Sequence, residues 1–462
     1  MVTQPRSFVA RPGNRDRLVA LLRPAHGDFG PFTMLALVIL DAVLWIALRP
    51  AGEPWRRHIG QLFGAESVLL LTMALVLIST LPWIETWFHG IDRAAIWHRR
   101  AVIVGLVLLG PHILLASNPN GSTLGGPLAA IGAAGLVTLA LWSVLPRWRA
   151  MLPAALRDPI LVLRDTAPGR LVRNVIDNYE WWRMVHRTTG LFVAAGFLHG
   201  LLDATAFDAS PALRWSYVAI GGIGLAFYVY REILARYFLP FHDYQVAAVT
   251  DLGDGLAEIA LVPLGHPLSF VPGQFAVVYF EAKNGWNRHP FTIASAPKDP
   301  VLRFTIKALG DFTRQVHTMI QPGMPAVISG PHGRFDYNNG TQHQVWIAAG
   351  VGITPFLSWL RALESDLTHT VEFFSTSRGE APFSEEILAI AERHPSLHVH
   401  LIDTSTQGHL MPEQVLAQIS TAPADLSVFM CGPEPMLEQF EAAFRYAGVP
   451  RANVFREYFN IR

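Results

Sequence analysis

Four histidines sit inside apolar stretches of the chain: His98 and His112 in "IWHRRAVIVGLVLLGPHILLAS", and His186 and His199 in "VHRTTGLFVAAGFLHG". An ionisable ring in such a segment is costly unless it has a partner, and neutral imidazole is the side chain that binds iron axially in haem proteins. His98 and His112 are 14 positions apart, which leaves them about 40° apart around a helix and about 20 Å apart along it, on one face. His186 and His199 are 13 apart, about 140° around a straight helix. Thr188, Thr189, Gly190 and Gly196 are where that second helix could deform, and Gly110-Pro111 could kink the first. Matched in depth, the four residues offer two stacked His pairs between two helices, a spacing suited to two bis-His haems.

The elements that must position these rings are long apolar helices. The chain has 462 residues, 51% of them hydrophobic. Segments of bilayer-spanning length lie near 31–48, 65–84, 97–117, 125–145, 184–204 and 215–235, which predicts six spans. No small-residue cleavage pattern follows the first, so it reads as a retained helix with both termini on one side. Arginines gather before the first span (Arg6, Arg11, Arg15, Arg17, Arg23) and in the second and fourth connections (Arg93, Arg99, Arg100; Arg147, Arg149, Arg157, Arg164, Arg170, Arg173). The opposite side has mainly Arg56, Arg57 and Arg214, so the termini and the second half are expected in the cytoplasm and the chain in the cell membrane. His98 and His186 then lie at the cytoplasmic depth, His112 and His199 nearer the outside. His58 and His89 fall at span ends as interfacial residues, while Asp41 and Glu66 are membrane polar groups of unknown partner.

The formal net charge is zero and Lys283, Lys298 and Lys307 are the only lysines, which sets nucleic-acid binding aside. Cys431 is the single cysteine, so an intramolecular disulfide and a thiolate-held iron–sulfur or zinc site are excluded. Redox chemistry here must use other ligands.

From about Tyr244 the pattern changes to short β-like runs, such as "AEIALVPL", "GQFAVVYF" and "NRHPFTIASAP", and then to repeated strand–helix pairs beginning at "QVWIAAGVGITPFLSWLRAL". The latter implies a parallel sheet with ligands at the strand C-termini. In "AAGVGITP", Gly350 and Gly352 let the backbone approach a pyrophosphate, and Pro355 suits a first helical turn whose free N–H groups attract phosphate. "LGDFTRQV" could hold a second phosphate through Gly310 and Thr313, or be an ordinary helix cap. "RHPFTIAS" combines a donor, an aromatic ring and hydroxyls suited to a flat cofactor.

Together these residues resemble the NADPH oxidase and ferric reductase superfamily, on the histidine spacings of 14 and 13, "HPFTIAS", "GVGITPF", "CGPEPM" and the terminal "REYF", from about residue 31 to the end. The resemblance implies a six-helix transmembrane bis-haem bundle (31–238, after a cytoplasmic segment 1–30), a β-barrel FAD-binding domain (239–338) and an α/β Rossmann-like NAD(P)H-binding domain (339–462). It implies one haem b between His98 and His186 and another between His112 and His199. His289, Pro290, Phe291, Thr292 and Ser295 match its FAD motif, with Thr292 near the flavin N5; Gly350, Gly352, Thr354 and Pro355 match its nucleotide motif. Cys431 and Gly432 would lie near the nicotinamide, and Phe459 would cover the flavin. Thr292, Cys431 and Phe459 are thus the residues expected at the hydride transfer.

The expected activity is transfer of electrons from NAD(P)H through FAD and two haems to a small acceptor outside, O2 or a ferric chelate, with supply of electrons to a partner protein as the alternative. Ser375, Ser377 and Arg378 follow a strand where a 2′-phosphate is commonly bound, and no acidic residue immediately follows that strand, which favours NADPH over NADH.

Overall fold

The computed structural model describes residues 29–79, 81–88, 90–116, 122–144, 160, 163–176, 179–235, 241–282, 285–310 and 312–457. The chain divides into two compact units, Met1–Phe238 and Leu239–Arg462.

The first unit is helical: α1 (Phe29–Ala47), α2 (Trp55–Leu77), α3 (Pro82–Phe88), α4 (Ile91–Leu115), α5 (Gly125–Val144), α6 (Ala167–Ile176), α7 (Tyr179–His186), α8 (Thr189–Asp203), α9 (Ala206–Ala209) and α10 (Pro211–Val229), continued by a π-helical turn at Tyr230–Leu234. Helix α2 is central, with 72% of its apolar window buried against 11–22% for the other long helices. Those others turn apolar side chains outward, among them Leu35, Ile39, Val107, Leu114, Leu141 and Ile223.

Six spans were expected; among the described residues five helices are long and apolar enough to cross a membrane, at Phe29–Ala47, Trp55–Leu77, Arg93–Leu115, Gly125–Val144 and Pro211–Leu234. The expected segment 184–204 is split into α7 and α8 by a turn at Arg187–Thr188. Its cause is local: the Thr188 hydroxyl donates to Val185 O at 2.7 Å and the Thr189 hydroxyl to His186 O, and such bonds to carbonyls three residues back compete with the helical ladder. The second helix begins ten residues earlier than expected because Arg56, Arg57, His58 and Gln61 are helical polar residues that a hydropathy window discards. Pro111 lies inside α4, which runs unbroken from Ile91 to Leu115.

The second unit opens with β1 (Phe241–Gly253), β2 (Leu256–Pro263), β3 (Phe275–Ala282), β4 (Gly285–Thr292), β5 (Leu302–Lys307), the short α11 (Val316–Met319) and β6 (Pro325–His332). Their pairings are antiparallel, in the order β4-β3-β6-β1-β2-β5. The expected barrel is not closed. Edge strands β4 and β5 meet through the isolated bridge Ile293–Phe304, where the chain has already left β4.

There follow β7 (His343–Ala349), α12 (Thr354–Arg361), β8 (Thr370–Ser377), α13 (Ser384–Ala391), β9 (Leu397–Asp403), α14 (Pro412–Gln418), β10 (Leu426–Cys431), α15 (Glu434–Ala447) and β11 (Val454–Glu457). The strands are parallel in the order β11-β10-β7-β8-β9. The two-residue period of β7 sends Trp346 and Ala348 into the core beneath α12 and α13, and Val345 and Ile347 into the core beneath α14 and α15. A sheet covered on both faces leaves its strand ends as the open rim.

Candidate functional site

In the helical unit the structure brings the histidines together as two pairs. The ring centres of His98 and His186 are 6.5 Å apart at 81°, and those of His112 and His199 are 6.1 Å apart at 70°. An imidazole nitrogen sits about 2 Å from a metal it binds and roughly 1 Å from its own ring centre, so two rings sharing one ion have centres about 6 Å apart. Both pairs have that spacing. The turn at Arg187–Thr188 reconciles the 13-residue separation with it, since His186 ends α7 while His199 lies on α8.

Hydrogen bonds select the tautomers. His98 Nδ1 donates to Ala74 O and His112 Nδ1 donates to Gly60 O, each at 2.9 Å, both carbonyls belonging to α2. With the proton on Nδ1, Nε2 carries the lone pair, the arrangement of a metal-binding histidine held by its other nitrogen. His199 Nδ1 lies 3.2 Å from Asp203 Oδ2, and His186 stacks on Trp182 at 4.8 Å. Among the described residues no group of three or more His, Cys, Asp or Glu side chains converges on a metal site. An ion held by two imidazoles alone needs its remaining positions filled by a chelate, which fits a porphyrin and not a bare ion.

Residues absent from the sequence reading complete this part. A Cβ on Gly64 would stand 2.6 Å from His112 Nδ1, and one on Gly60 would stand 2.5 Å from Ala116 N. These two glycines, in "GQLFG", let α4 lie against α2; the small-xxx-small spacing was the signal that could have found them. Gly132 on α5 meets the Gly196 backbone of α8 in the same way.

In the second unit β4 carries the expected flavin motif. Thr292 is 4% exposed and its hydroxyl is buried without a hydrogen-bond partner. Phe291 is half-buried against the sheet core, and the His289 ring is stacked on Phe312 at 4.0 Å. Pro290 is exposed beside them on β4. Ser295 is fully buried; its hydroxyl accepts from Arg303 N, and its carbonyl accepts from Ser358 of α12 at 2.8 Å. The unsatisfied Thr292 hydroxyl on the motif strand is what a bound ring system would complete, so the residues fit a flavin. Thr313 Oγ accepts from the amides of Leu309 and Gly310, at 3.0 and 2.8 Å. Those amides are thereby satisfied within the turn, which has the geometry of a helix cap.

Past β7, Gly350 has φ +57, and Lys307 Nζ lies 3.6 Å from where its Cβ would be. The lysine supplies a cation beside the turn that the sequence reading did not include. Gly352 serves packing: a Cβ there would be 2.2 Å from Cys431 O. Thr354 donates to Val351 O at 3.0 Å, and Pro355 opens α12. Cys431 is fully buried in the core beneath α12, and burial, with the Glu457 carboxylate nearby, pushes its thiol up. In this position Cys431 contributes packing and a backbone carbonyl at the end of β10, with Gly432 following it. Phe459 lies outside the described residues.

Arg378 is exposed after β8, and the Ser377 hydroxyl donates to Gly379 O at 3.0 Å. An acid does stand here, supplied by the neighbouring strand: Asp403 faces Ser377 in the β8–β9 register. Its Oδ1 accepts from Ser405 Oγ and N and from Gly379 N, which holds the carboxyl at about 2. The motif strand and the nucleotide turn are joined by α12, where Arg361 forms two bonds to Glu386 at 2.7 and 2.8 Å, reaches Glu258 at 3.4 Å and donates to Ala294 O at 2.9 Å. Burial disfavours the Arg361 charge, and Glu386 and Glu258 overcome that and raise it above the ordinary arginine value.

Residues 241–347 match the FAD-binding domain family and residues 346–442 the oxidoreductase NAD-binding domain family. The second half is therefore built of an FAD-binding domain followed by an oxidoreductase NAD-binding domain. Relatives include the ferredoxin reductase component of 3-ketosteroid-9-alpha-monooxygenase from Rhodococcus rhodochrous, 29% identical over 46% of this chain and 63% of that one. Methane monooxygenase component C from Methylosinus trichosporium is 33% identical over 30% and 43%. The chain spans less than two thirds of these relatives' lengths. Among solved structures, a ferredoxin NADP+ reductase from Neisseria gonorrhoeae covers 47% of this chain and 98% of its own, at 19% identity and a TM-score of 0.42.

Proposed function

We propose that the protein is an integral membrane oxidoreductase of the cell membrane that carries electrons from cytoplasmic NAD(P)H, by way of FAD and two b-type haems, to O2 or a ferric chelate on the opposite face. The observation that carries this reading is the pair of facing imidazoles repeated at 6.5 and 6.1 Å, with two Nδ1 atoms tied to carbonyls of one central helix. When bound, flavin accepts two electrons as hydride and releases them singly, and haem iron carries one at a time.

The chain's own residues do the positioning. His98 with His186, and His112 with His199, would hold the two haems; Gly60 and Gly64 set the depth of α4, and the turn at Arg187–Thr188 brings α7 and α8 into phase. Thr292 offers its unpaired hydroxyl to the flavin. Lys307 and the Gly350 turn attract the nucleotide phosphates. Arg378 is free in geometry to meet a 2′-phosphate while Asp403 is committed to its own turn, which favours NADPH.

The relative that is the ferredoxin reductase component of a monooxygenase supports a second reading, in which a partner protein takes the electrons. Anaerobic reduction by NADPH, followed optically, tests both. Two haem spectra reoxidised by O2 or ferric chelate support the first reading. Haem-free protein with full flavin reduction would sink it and leave a flavin reductase on a membrane anchor.

A further inference from the structure

On the side of α2 that faces α1 and α10 lies a buried polar group unused by the reading above. Asp41 of α1 and Glu66 of α2 are each 5% exposed. Asp41 Oδ2 and both Glu66 carboxyl oxygens are buried without a hydrogen-bond partner. The two carboxyl groups lie within each other's electrostatic reach, and Tyr217 of α10 lies within that of Asp41. Trp45, Leu62, Ala65, Val68 and Tyr217 form the apolar core of the same junction.

Depth links this pair to the histidines. Along α2, Gly60 O takes the hydrogen bond of His112 and Ala74 O that of His98. Glu66 falls between them, about 9 Å along the axis from one level and about 12 Å from the other, at 1.5 Å per residue. Two ionised carboxylates without hydrogen bonds in apolar surroundings are too costly to persist, so the pair must hold a proton. An electron placed in the same low-dielectric interior is costly for the same reason, and a proton bound close by offsets it.

We propose that Asp41 and Glu66 form a proton-binding site coupled to electron occupancy of the bundle. The inference rests on the two-haem reading. With the bundle oxidised, one of the two carboxyl groups carries a proton. When one electron arrives from NAD(P)H, one O–H bond forms at the remaining carboxylate with a proton drawn from water; when the electron leaves for the outer acceptor, that bond breaks and the proton is released. The interior thus gains no net charge at either stage.

The surrounding titratable groups are few. Tyr217 faces the pair from α10, donating its hydroxyl to Phe197 O at 3.2 Å. On α2 itself, His58 is fully buried, donates from Nε2 to Trp45 O at 2.8 Å, and leaves Nδ1 without a partner. The titratable residues of α4 and α8 at these depths are His98, His112, His199 and Asp203, which belong to the ring pairs, and the exposed Arg99 and Arg100 that follow His98 on α4.

The test is an optical redox titration of the intact protein between about pH 6 and 8, with Glu66→Gln and Asp41→Asn as variants. In the wild type at least one haem potential should fall as pH rises, approaching a tenfold change in reduction constant per pH unit, or about 59 mV, at full coupling. Glu66→Gln should flatten the slope while both haem spectra remain. Redox-difference infrared spectra of the wild type, which need no variant, should show a protonated-carboxyl band gained on reduction. Fully haem-loaded wild type with pH-independent potentials, no such band, or slopes unchanged in both variants would each overturn the proton site. Wild type without haem spectra would overturn the two-haem reading instead.

Discussion

On the two-haem reading, replacing Gly64 by alanine should remove the haem that His112 and His199 would hold while sparing the other. The new Cβ would stand 2.6 Å from His112 Nδ1 and 2.7 Å from its Cε1, against 3.4 Å at the near limit of ordinary contact. Helix α2 is packed on most sides and cannot recede, so the imidazole must give way by about 0.8 Å. Moved off α2 by that amount, its bond to Gly60 O stretches from 2.9 Å to roughly 3.7 Å and is lost, at about 1 kcal/mol. The displacement is also about four times the ~0.2 Å tolerance of a metal–ligand distance, and loss of such an outer hydrogen bond alone weakens metal affinity about 10- to 100-fold. The assay is the reduced-minus-oxidised haem spectrum normalised to FAD, expected to fall to about half with flavin reduction by NADPH intact. Gly110→Ala is the control: two residues before His112, its Cβ would meet nothing within 4 Å, and both haems should stay. A full two-haem spectrum with unaltered potentials in Gly64→Ala would show that His112 does not hold a metal from this position.

In the second unit, Arg361→Ala leaves Glu386 without its cation and Glu258 with Arg303 alone, and should destabilise that unit by about 1–2 kcal/mol in denaturant titration followed by flavin release; an unchanged midpoint would mean the ion cluster is dispensable. Arg378→Ala should raise the KM for NADPH more than that for NADH, since Arg378 is exposed at the end of β8 and Asp403 is already occupied; equal effects would remove the basis for preferring NADPH. Cys431 should resist alkylation in the native protein at about pH 8, because burial raises its thiol above the ordinary value, and should react at once on unfolding. Ready labelling of native protein would place that thiol at the rim after all.

The histidine pairs were legible because their signal is one of spacing and composition: imidazoles are rare enough in apolar helices that four of them at 14 and 13 point to each other. What held them in place was not. Ala74 and Gly60 act through backbone carbonyls, and any residue type supplies a carbonyl, so no composition or periodicity singles them out. In the second half the strand–helix alternation from "QVWIAAG" onward predicted a parallel sheet correctly, whereas barrel closure depended on where the chain leaves β4 after Thr292, which is decided by tertiary pairing and not by local pattern. Arg361 is a similar case: it belongs to α12 in sequence, yet its partners Glu258 and Glu386 lie 103 and 25 residues away.

The uneven spacing carries the larger lesson. A continuous helix through His186 and His199 would leave the two rings about 140° apart and pair only one of them with α4. Thr188 and Thr189 divert their hydroxyls to carbonyls of the preceding turn, the ladder is interrupted, and α7 and α8 become separate elements. Each then presents its histidine to the unbroken α4, where 14 residues keep His98 and His112 on one face. The break that removed a sixth continuous span is therefore the same feature that lets a 13-residue interval match a 14-residue one. Restoring helical continuity there, by Thr188→Leu with Thr189→Leu, should cost one ring pair its alignment even though no histidine is touched, and haem content would report which.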